Sequence, residues 1–454
     1  MTGHQELKTT RPPQEKAFLV GVEWNDTPRG KYRPGAWPVE ESLTELERLA
    51  YTAGLDVVGQ AVQSLDRPHA GTFIGSGKAK DIAQQLQMLD ADVVIFDDEL
   101  NPNNQRDLEA IFGSRTKVID RTGLILDIFA QHASTREGAL QVELAQYQYR
   151  LPRLTQTWTN QALTRQAGGR AGGATGGVGL RGPGETRLEI DQRVIRRRID
   201  RIKVELEDVR AHRARHRKRR RHSGLPTVSL VGYTNAGKST LLNSLSDADV
   251  YVANQLFATL DPTTRRVELP GGTVVLVTDT VGFIQKLPTQ LVAAFRATLE
   301  EVTEADLLLH VVDASHPYAM DQARAVYGTL QEIGAADIPV VNVLNKVDRF
   351  RDPRMACDAL SDLQDSLAVS ALTGYGLEAL KGHIEEVLES EMVPIDVTLP
   401  FERGDLVSIF HERGLIDEEA HHAQGTHIKG RMPHELLPQF EPFREKPESE
   451  ITTL

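Results

Sequence analysis

Short apolar runs alternate with helical patterns over residues 17–134. The runs AFLVGVEW, VVIFDD and KVID are interleaved with SLTELERLA, KAKDIAQQLQML and QRDLEAIF, in which apolar residues recur on one helix face. This alternation predicts an N-terminal β/α domain with a small, mostly parallel sheet. Residues 1–16 are polar and mixed in charge, which predicts a disordered tail.

A second alternation, over residues 224–391, has stronger strand signals. The runs TVSLVG, TVVLVTD, DLLLHVVD, PVVNVLN and SLAVSA are almost continuously apolar, as is typical of parallel strands buried on both faces. Residues 392–454 read as strand, helix and hairpin (IDVTLPF, DLVSIFHE, GTHIKGRM) and predict a small α+β domain. We therefore expect an α/β protein of several domains.

Residues 135–223 contain two heptad seams, which predict two helices packed antiparallel as a hairpin. The first seam is Leu140, Leu144, Tyr147, Leu151 and Leu154, and the second is Leu188, Ile195, Ile199, Ile202, Leu206 and Val209. Thr186 and Glu189 form a capping box at the start of the second helix. Nine of the residues in 168–184 are glycine, which predicts a hairpin tip rather than an interdomain linker. Two amphipathic helices packed on a globular core are the alternative.

Charge is unevenly distributed along the chain. The net charge is −12, yet residues 186–222 hold fifteen Lys/Arg and six Asp/Glu. Such a basic segment predicts contact with a polyanion, and a solvated helix face is the alternative. The single cysteine, Cys357, excludes an internal disulfide framework and is typical of a reducing compartment. Because there is no signal-peptide pattern and no apolar run of about 20 residues, we expect a cytoplasmic protein with no transmembrane segment.

GYTNAGKST, residues 232–240, matches the phosphate-loop pattern GxxxxGK[ST]. It follows the predicted strand TVSLV and precedes the helical pattern STLLNSLS, which is the context that such a loop requires. Gly232 and Gly237 allow the backbone to curl so that its amides face phosphates. Lys238 is expected to reach the outer phosphates, and Ser239 to offer its hydroxyl to Mg²⁺.

Two further motifs favour guanine nucleotides. DTVG ends an apolar strand, so that Asp279 can hold magnesium and the Gly282 amide can bind the γ-phosphate. NKVD follows the next-but-one strand, and Asp348 can accept two hydrogen bonds from guanine, whereas adenine would leave it unpaired. Ser370 and Ala371 follow the last strand and can support the base through backbone amides. This order of motifs at strand ends predicts a GTP hydrolase.

The threonine that binds magnesium must lie between the phosphate loop and DTVG, where Thr259, Thr263 and Thr264 are the candidates. Phe283 stands where many regulatory GTPases have a water-positioning glutamine. Phenylalanine cannot orient water by hydrogen bonding, so we expect slow intrinsic hydrolysis that depends on a partner or an ion. The amide oxygen of Asn235 is a candidate ligand for K⁺ beside the phosphates, as a substitute for an arginine finger.

FIGSGKAKDI, residues 73–82, is a candidate for a second phosphate site, because a glycine turn between strand and helix can receive phosphate. However, Lys78 is followed by Ala79 rather than Ser or Thr, and the spacing is too short for a phosphate loop. A tight strand-to-helix turn is the alternative. The C-terminal histidines lack ligand-like spacing and predict no metal site: His411, His421, His422, His427 and His434.

The chain resembles the HflX family, in the Obg-HflX group of GTPases, over nearly its whole length. The resemblance rests on FIGSGK, DRTGLILDIFAQHASTREGALQVELAQ and GLRGPGETRLEIDQR, and on GYTNAGKS, FATLDPTTR and DTVGF. It implies an N-terminal β/α domain, a helical hairpin and a guanine-nucleotide domain. It also implies binding to the large ribosomal subunit, separation of stalled ribosomes into subunits, and ATP binding or hydrolysis by the N-terminal domain.

The resemblance favours Thr259 as the magnesium threonine, because FATLDP is similar to the corresponding segment of Obg-like GTPases; Thr263 is the second candidate. Catalytic roles are expected for Lys238, Thr259 and Gly282, and magnesium ligation for Ser239, Thr259 and Asp279. The expected contacts of GTP or GDP are Gly232, Tyr233, Thr234, Asn235, Ala236, Gly237, Lys238, Ser239, Thr240, Phe257, Thr259, Asp279, Gly282, Asn345, Lys346, Asp348, Ser370, Ala371 and Leu372.

The leading interpretation is a monomeric GTP-dependent switch that binds ribosomal RNA of the large subunit, not DNA, and acts in translation under stress. A GTP-dependent scaffold or regulator that binds proteins through the hairpin is the alternative, and an RNA-modifying or RNA-remodelling enzyme is a third. The basic second arm favours RNA over a protein coiled coil. No second catalytic constellation is visible in the sequence, which weighs against the third.

Overall fold

The computed structural model describes residues 14–25, 37–154, 187–223, 225–246, 256–257, 259–286, 296–422, 424–433 and 436–444. The predicted glycine-rich tip and Thr186 of the predicted capping box lie outside these residues. No described helix is both long enough and apolar enough to cross a membrane.

The N-terminal sheet has four strands, all parallel, in the order β2-β1-β3-β4. Its elements are β1 (Lys16–Trp24), α1 (Val39–Thr52), β2 (Asp56–Leu65), α2 (Ser76–Leu89), β3 (Val93–Phe96), α3 (Pro102–Phe112), β4 (Lys117–Asp120) and α4 (Arg121–His132). The parallel sheet confirms the prediction, but the apolar pattern had not revealed β2. This edge strand has a single fully buried residue, Ala61, so it lacks a strong apolar run.

The predicted disordered tail is wrong at its end. Lys16 is the first residue of β1. The preceding residue is also anchored, because Glu15 Oε1 accepts a hydrogen bond of 2.7 Å from Lys117 Nζ at the start of β4. The chain is thus anchored from Glu15, two residues before Ala17, the first apolar residue of β1.

Two antiparallel helices follow, as the heptad seams predict. They are α5 (Arg136–Arg150) and α6 (Arg187–Ser223). The direction follows from two ion pairs, Arg198 with Glu143 and Arg136 with Glu205, in which one partner advances as the other recedes. Their shared core is formed by Leu140, Ile202 and Leu206, with Leu144 and Tyr147 packed against it.

The first seam ends earlier than predicted. A 3-10 turn over Leu151–Arg153 replaces the α-helix after Arg150. Pro152 lacks the amide hydrogen that a continuing helix needs. Leu151 and Leu154, predicted as heptad positions, therefore lie in and after this turn.

The sheet of the predicted nucleotide-binding part, named here the GTPase sheet after that prediction, has six strands in the order β10-β9-β8-β5-β7-β6, parallel except that β6 runs antiparallel to β7. Its elements are β5 (Thr227–Gly232), α7 (Lys238–Leu245), β6 (Thr263–Glu268), β7 (Val274–Asp279), α8 (Arg296–Thr303), β8 (Leu307–Asp313), α9 (Ala319–Glu332), β9 (Val340–Asn345), α10 (Arg354–Ala359), β10 (Ser366–Ala368) and α11 (Leu377–Ser390). The predicted α/β class is confirmed, and the antiparallel edge strand is an addition to it.

A three-stranded antiparallel sheet, in the order β11-β13-β12, ends the described chain. Its elements are β11 (Val393–Leu399), α12 (Gly404–Arg413), β12 (Leu415–His422), β13 (Gly425–Met432) and α13 (Leu437–Phe440). Phe410 and Phe440 meet edge-to-face in its core, with ring centroids 5.6 Å apart. His427 Nε2 of β13 lies 2.7 Å from Asp396 Oδ1 of β11.

The N-terminal sheet and the GTPase sheet share one hydrophobic core. Leu43 of α1 and Phe129 of α4 belong to the same buried cluster as Val231 and Phe283 of the GTPase part. Phe129 and Phe257 meet edge-to-face, with ring centroids 4.6 Å apart. The N-terminal helices therefore pack directly against the segments that surround the phosphate loop.

Candidate functional site

The phosphate-loop motif lies between the end of β5 and the start of α7. Gly237 has φ +99°, and a Cβ there would lie 2.3 Å from Asn345 Nδ2. At Gly232, a Cβ would lie 2.2 Å from the Val311 carbonyl oxygen. Both positions therefore exclude side chains, because the loop curls against the ends of β8 and β9.

Lys238 is buried at the start of α7. Its Nζ donates hydrogen bonds to the carbonyl oxygens of Gly232, at 3.1 Å, and Tyr233, at 2.9 Å. Burial lowers the pKa of Lys238 to about 8, although the nearby Asp279 carboxylate opposes the shift. The ammonium group of Lys238 thus lies inside the phosphate loop, bound to its backbone. A phosphate bound there would favour the charged form of the lysine.

Three hard oxygen ligands meet beside the loop. Ser239 Oγ donates to Asp279 Oδ2 at 2.6 Å, and Thr259 Oγ1 donates to the same oxygen at 2.9 Å. The two hydroxyl oxygens are 2.8 Å apart. Burial raises the pKa of Asp279, against the opposing effect of Lys238. A cation would offset this cost, and hydroxyl and carboxylate oxygens are the ligands that Mg²⁺ prefers, so the residues fit this ion.

The other candidate threonines lie elsewhere. Thr263 is exposed on β6, and its backbone pairs with that of Asp279. The Thr264 hydroxyl lies 2.9 Å from that of Thr278 on β7. Of the three candidates, the structure brings Thr259 alone to Ser239.

Residues 279–286, which begin with DTVG, are named here the second switch segment. Its backbone runs against the phosphate loop: Thr234 N–H donates to Phe283 O at 2.7 Å, and Phe283 N–H donates to Gly232 O at 3.0 Å. A Cβ on Gly282 would lie 2.8 Å from Thr234 Cα and 3.0 Å from Lys238 Nζ. The Gly282 backbone is therefore next to the group expected to bind the outer phosphates.

The motif NKVD connects the loop to the base end of the site. Asn345 Nδ2 donates to Ala236 O at 2.9 Å, and Asn345 Oδ1 accepts from Ala371 N–H at 3.0 Å. Asp348 Oδ1 accepts from Ser370 Oγ at 2.6 Å. Ser370 thereby holds the carboxylate in place and leaves its second oxygen for another donor.

Lys346 has an anchor that the sequence analysis missed. Its Nζ donates to Asn235 O at 2.6 Å and to Asp313 Oδ2 at 2.7 Å. Asp313 ends β8, as Asp279 ends β7. Its position at the carboxyl end of a parallel strand was the available signal.

A cavity of about 330 Å³ unites these groups. The predicted residues that line it are Thr234, Asn235, Gly237, Lys238, Ser239, Thr240, Phe257, Thr259, Gly282, Asn345, Lys346, Asp348, Ala371 and Leu372. Thr280 and Arg349 also line it and were not predicted. The buried Thr234 Oγ1 has no hydrogen-bond partner within the described chain, which suits an oxygen-rich ligand.

The other predicted contacts are neighbours of the lining residues but do not line the cavity themselves. They are Gly232, Tyr233, Ala236, Asp279 and Ser370. The Tyr233 side chain points away from the cavity, and its hydroxyl donates to Glu45 Oε1 of α1 at 2.6 Å. Phe257 borders the cavity, but its ring also packs on Phe129. The expectation of a nucleotide contact thus overlooked an interface with the N-terminal elements.

The candidate second phosphate site does not have the layout of the first. β2 ends at Leu65, and residues 66–75 form a long connection before α2. The Gly75 amide donates to Gln63 Oε1 at 2.9 Å, so a protein side chain occupies it. Ala79, at the position of Ser239 in the first loop, is buried in the core. The motif therefore forms neither a phosphate loop nor a direct tight turn from strand to helix, because the connection contains its own turn between the paired residues His69 and Phe73.

Four family models match successive parts of the chain. Their descriptions are "GTP-binding GTPase N-terminal" for residues 40–130, "GTP-binding GTPase Middle Region" for 132–220, "50S ribosome-binding GTPase" for 227–346 and "HflX C-terminal domain" for 357–434. The family resemblance therefore extends into the C-terminal sheet.

Curated relatives match almost the full length. The GTPase HflX of Lacrimispora saccharolytica is 42% identical over 95% of this chain and 97% of its own. That of Alkalihalophilus pseudofirmus is 45% identical over 88% of this chain and 93% of its own. That of Escherichia coli K12 is 45% identical over 87% of this chain and 90% of its own. The chain belongs to the HflX family of GTPases and is a GTP hydrolase with a P-loop fold.

Proposed function

We propose that this GTPase binds the large ribosomal subunit and, in its GTP state, splits or recycles stalled ribosomes. The ribosome stimulates its hydrolysis of GTP in this proposal. The family description "50S ribosome-binding GTPase" over residues 227–346 supports the choice of partner. The fifteen Lys/Arg in residues 186–222 support contact with ribosomal RNA, because phosphates attract a dense positive charge.

The observation that carries the proposal is the contact between Asp261 and the start of the hairpin. The backbone amides of Ser134 and Thr135 donate to Asp261 Oδ2 at 3.0 and 2.9 Å. The two hydroxyl groups donate to the same carboxylate. Asp261 follows Thr259 by two residues, so a nucleotide-dependent shift of Thr259 is transmitted to the N-terminus of α5. The nucleotide state thereby reaches the element proposed to bind RNA.

The chemistry uses residues on both sides of the phosphates. Ser239, Thr259 and Asp279 would hold magnesium, which neutralises charge on the outer phosphates when it is bound. Lys238 stabilises the charge that develops on the same phosphates, and the Gly282 amide binds the γ-phosphate. Phe283 offers no hydrogen bond to water, so intrinsic hydrolysis is slow.

Guanine selection rests on Asp348. Its Oδ1 is taken by Ser370 Oγ, and its other oxygen remains for donors on the base. A purine that lacks those donors leaves a charged oxygen without a partner, which costs about 1.5–3 kcal/mol per lost bond.

A potassium ion is proposed as the substitute for an arginine finger, with the Asn235 amide oxygen as one ligand. The support is the exposure of Asn235 on the cavity wall, beside Thr234. Hydrolysis rates are to be compared in potassium and sodium buffers at equal ionic strength. We expect faster hydrolysis in potassium and no cation preference in Asn235→Ala. Equal rates in the two buffers contradict the ion.

Sedimentation with purified large subunits tests the partner. We expect cosedimentation with a non-hydrolysable GTP analogue and much less with GDP, because contacts of GTP at Thr259 act through Asp261 on the start of the hairpin. No nucleotide-dependent cosedimentation contradicts the proposal.

A deletion of residues 168–184, which lie outside the described residues, tests the tip of the hairpin. The proposal expects GTP binding to persist and ribosome-stimulated hydrolysis to disappear. Loss of GTP binding in this variant indicates a structural role of the tip instead.

A GTP-dependent regulator that binds proteins through the hairpin is the second candidate. Ile190, Val194 and Val204 favour it, because these apolar side chains of α6 are 47%, 58% and 64% exposed. Under this alternative, replacing all three with serine abolishes partner capture and leaves cosedimentation with ribosomes absent. Under the ribosome proposal, the same variant still cosediments.

A further inference from the structure

The interface beside the second switch segment contains a buried ionic cluster, named here the Arg121 cluster (Glu45, Asp97 and Arg121). Arg121 begins α4 and is 2% exposed. Its Nη2 pairs with Glu45 Oε2, and its Nη1 donates to Asp97 Oδ1 at 2.8 Å. Ser42 Oγ donates to Asp97 Oδ2 at 2.7 Å. Both carboxylates are therefore fixed by the N-terminal part of the chain.

Each carboxylate also has a partner in the GTPase part. Glu45 Oε1 accepts from the Tyr233 hydroxyl at 2.6 Å. Asp97 Oδ2 accepts from Lys286 Nζ, which also donates to Asp98 Oδ1 at 2.9 Å. The contacts join residues 188 and 189 positions apart in the chain.

A hydrogen bond within the GTPase part connects the two segments that contact the Arg121 cluster. The Gln285 amide donates to the Tyr233 hydroxyl oxygen at 2.8 Å. Tyr233 belongs to the phosphate loop, and Gln285 precedes Lys286 in the second switch segment. The tyrosine hydroxyl thus fastens both phosphate-binding segments to α1 through one atom.

We infer that Tyr233 and Lys286 are positioning residues for GTP hydrolysis, which hold the second switch segment against the phosphate loop by docking on the Arg121 cluster. In the resulting position, the Gly282 backbone lies beside Thr234 and Lys238. This is where an amide must be to bind a γ-phosphate, and GDP does not use it. The docking therefore supports the GTP-bound and reacting states more than the GDP state.

The backbone of Lys286 gives independent support. Its φ is +57°, a left-handed conformation that lysine rarely adopts. Such a conformation persists only where surrounding contacts offset its cost. The described contacts that do so are the ion pairs of the Lys286 side chain with Asp97 and Asp98.

The position of the cluster within the N-terminal sheet also supports the inference. Asp97 and Arg121 directly follow β3 and β4, at the carboxyl edge where open α/β sheets bind ligands. Here the side chain of Lys286 lies at that edge. Lys286 of the second switch segment thus binds at the position where such sheets usually bind a ligand.

Lys286→Met and Tyr233→Phe test the inference without ribosomes, so its failure is distinct from failure of the ribosome proposal. Each variant keeps the shape of the side chain and removes the docking group. We expect kcat for GTP to fall about 10-fold, and binding of a non-hydrolysable GTP analogue to weaken by a similar factor. GDP affinity, measured in the same titration, should stay within about 2-fold.

Glu41→Gln is the matched control. Glu41 is also on α1 and meets His316 Nε2 at 3.5 Å across the same interface, but does not touch the second switch segment. Its affinity ratio of GTP analogue to GDP should equal that of the wild type. The inference is overturned if both test variants keep the wild-type kcat and ratio, if they lose GDP and analogue affinity equally, or if the control shifts the ratio as much.

Discussion

The N-terminal sheet and the mainly parallel GTPase sheet use their carboxyl edges in opposite ways. In the GTPase sheet, β7 and β9 end at Asp279 and Asn345 beside a cavity of about 330 Å³. In the N-terminal sheet, the residues after β3 and β4 are Asp97 and Arg121, which pair with each other, and Asp97 also binds Lys286 of the second switch segment. The first edge borders a cavity, whereas the charges at the second edge are paired with one another and with Lys286. The carboxyl edge of a parallel sheet thus attracts a partner, but that partner can be another part of the protein.

The two glycine-lysine loops differ for a related reason. GYTNAGKST follows β5 directly, so its amides and Lys238 converge at the edge of the sheet. FIGSGKAK begins at Phe73, so residues 66–72 separate it from the end of β2, and its Gly75 amide donates to the Gln63 side chain. The spacing between strand and loop, rather than the glycines, separates a phosphate site from a packed connection.

Replacing the lysine of each loop gives the largest expected contrast. We expect Lys238→Ala to weaken GTP binding by about 100-fold or more, because charge-assisted hydrogen bonds to phosphate are lost. Lys78→Ala should keep the wild-type affinity within about 2-fold. Titration with a fluorescent GTP analogue measures both. A comparable loss in Lys78→Ala would show that the N-terminal loop also binds nucleotide.

Sequence analysis could identify two kinds of site residue: residues that are close together in one motif, and residues at the ends of strongly apolar strands. Lys238 and Ser239 belong to one motif, and Asp279 ends β7, so motif and periodicity were sufficient to predict them. The choice among the three threonines came from a resemblance, because position along the chain alone does not say which hydroxyl reaches Ser239.

The interface could not be predicted in this way. Tyr233 and Glu45 are 188 residues apart, and no local pattern encodes such a pairing. The sequence contains DRTG as a family motif, but it does not indicate which residues pair with the arginine of that motif. Only the fold places Glu45 and Asp97 beside Arg121. The edge strand β2 was missed for a simpler reason: it has one buried residue and therefore no apolar run that would predict a strand.

The two sheets also differ in how they accommodate buried titratable groups. Arg121 stays charged. Burial acts to lower the pKa of Arg121, but the nearby carboxylates of Glu45 and Asp97 raise it by more than burial lowers it. His310 of β8 is buried, lies 2.9 Å from Asn342 Oδ1 through its Nδ1, and is kept neutral. Burial lowers the pKa of His310 from 6.5 to about 4, although Asn342 opposes the shift. The GTPase sheet should therefore be the more sensitive of the two to mild acid.

A pH series of urea unfolding tests this contrast. The unfolded chain protonates His310 first, so its contribution to stability is complete above pH 6.5 and is lost as pH falls towards 4. The loss is on the order of 3 kcal/mol. His310→Gln should flatten the fall in the free energy of unfolding between these values relative to the wild type. Equal slopes in the variant and the wild type contradict the assignment.

The smallest effect is expected where a switch contact is exposed rather than buried. Asp261 binds the start of α5 as a helix cap does, in contrast to the paired charges around Arg121. Burial opposes its ionisation, but hydrogen bonds from Thr135 and Ser134 lower the pKa of Asp261 below the ordinary value. A carboxylate at a helix N-terminus is stabilised by the free amides there.

Asp261→Ala should therefore loosen α5 locally and leave the core of the interface intact. Loss of such a cap costs about 1 kcal/mol, which predicts about fivefold faster hydrogen exchange at Ser134 and Thr135. Asp306→Asn is the control, because Asp306 binds the Thr227 amide at 2.6 Å, far along the chain from α5. Exchange at Lys286 should remain unchanged in both variants. If Asp261→Ala also accelerates exchange there, Asp261 and the second switch segment dock on the N-terminal elements as one unit rather than through separable contacts.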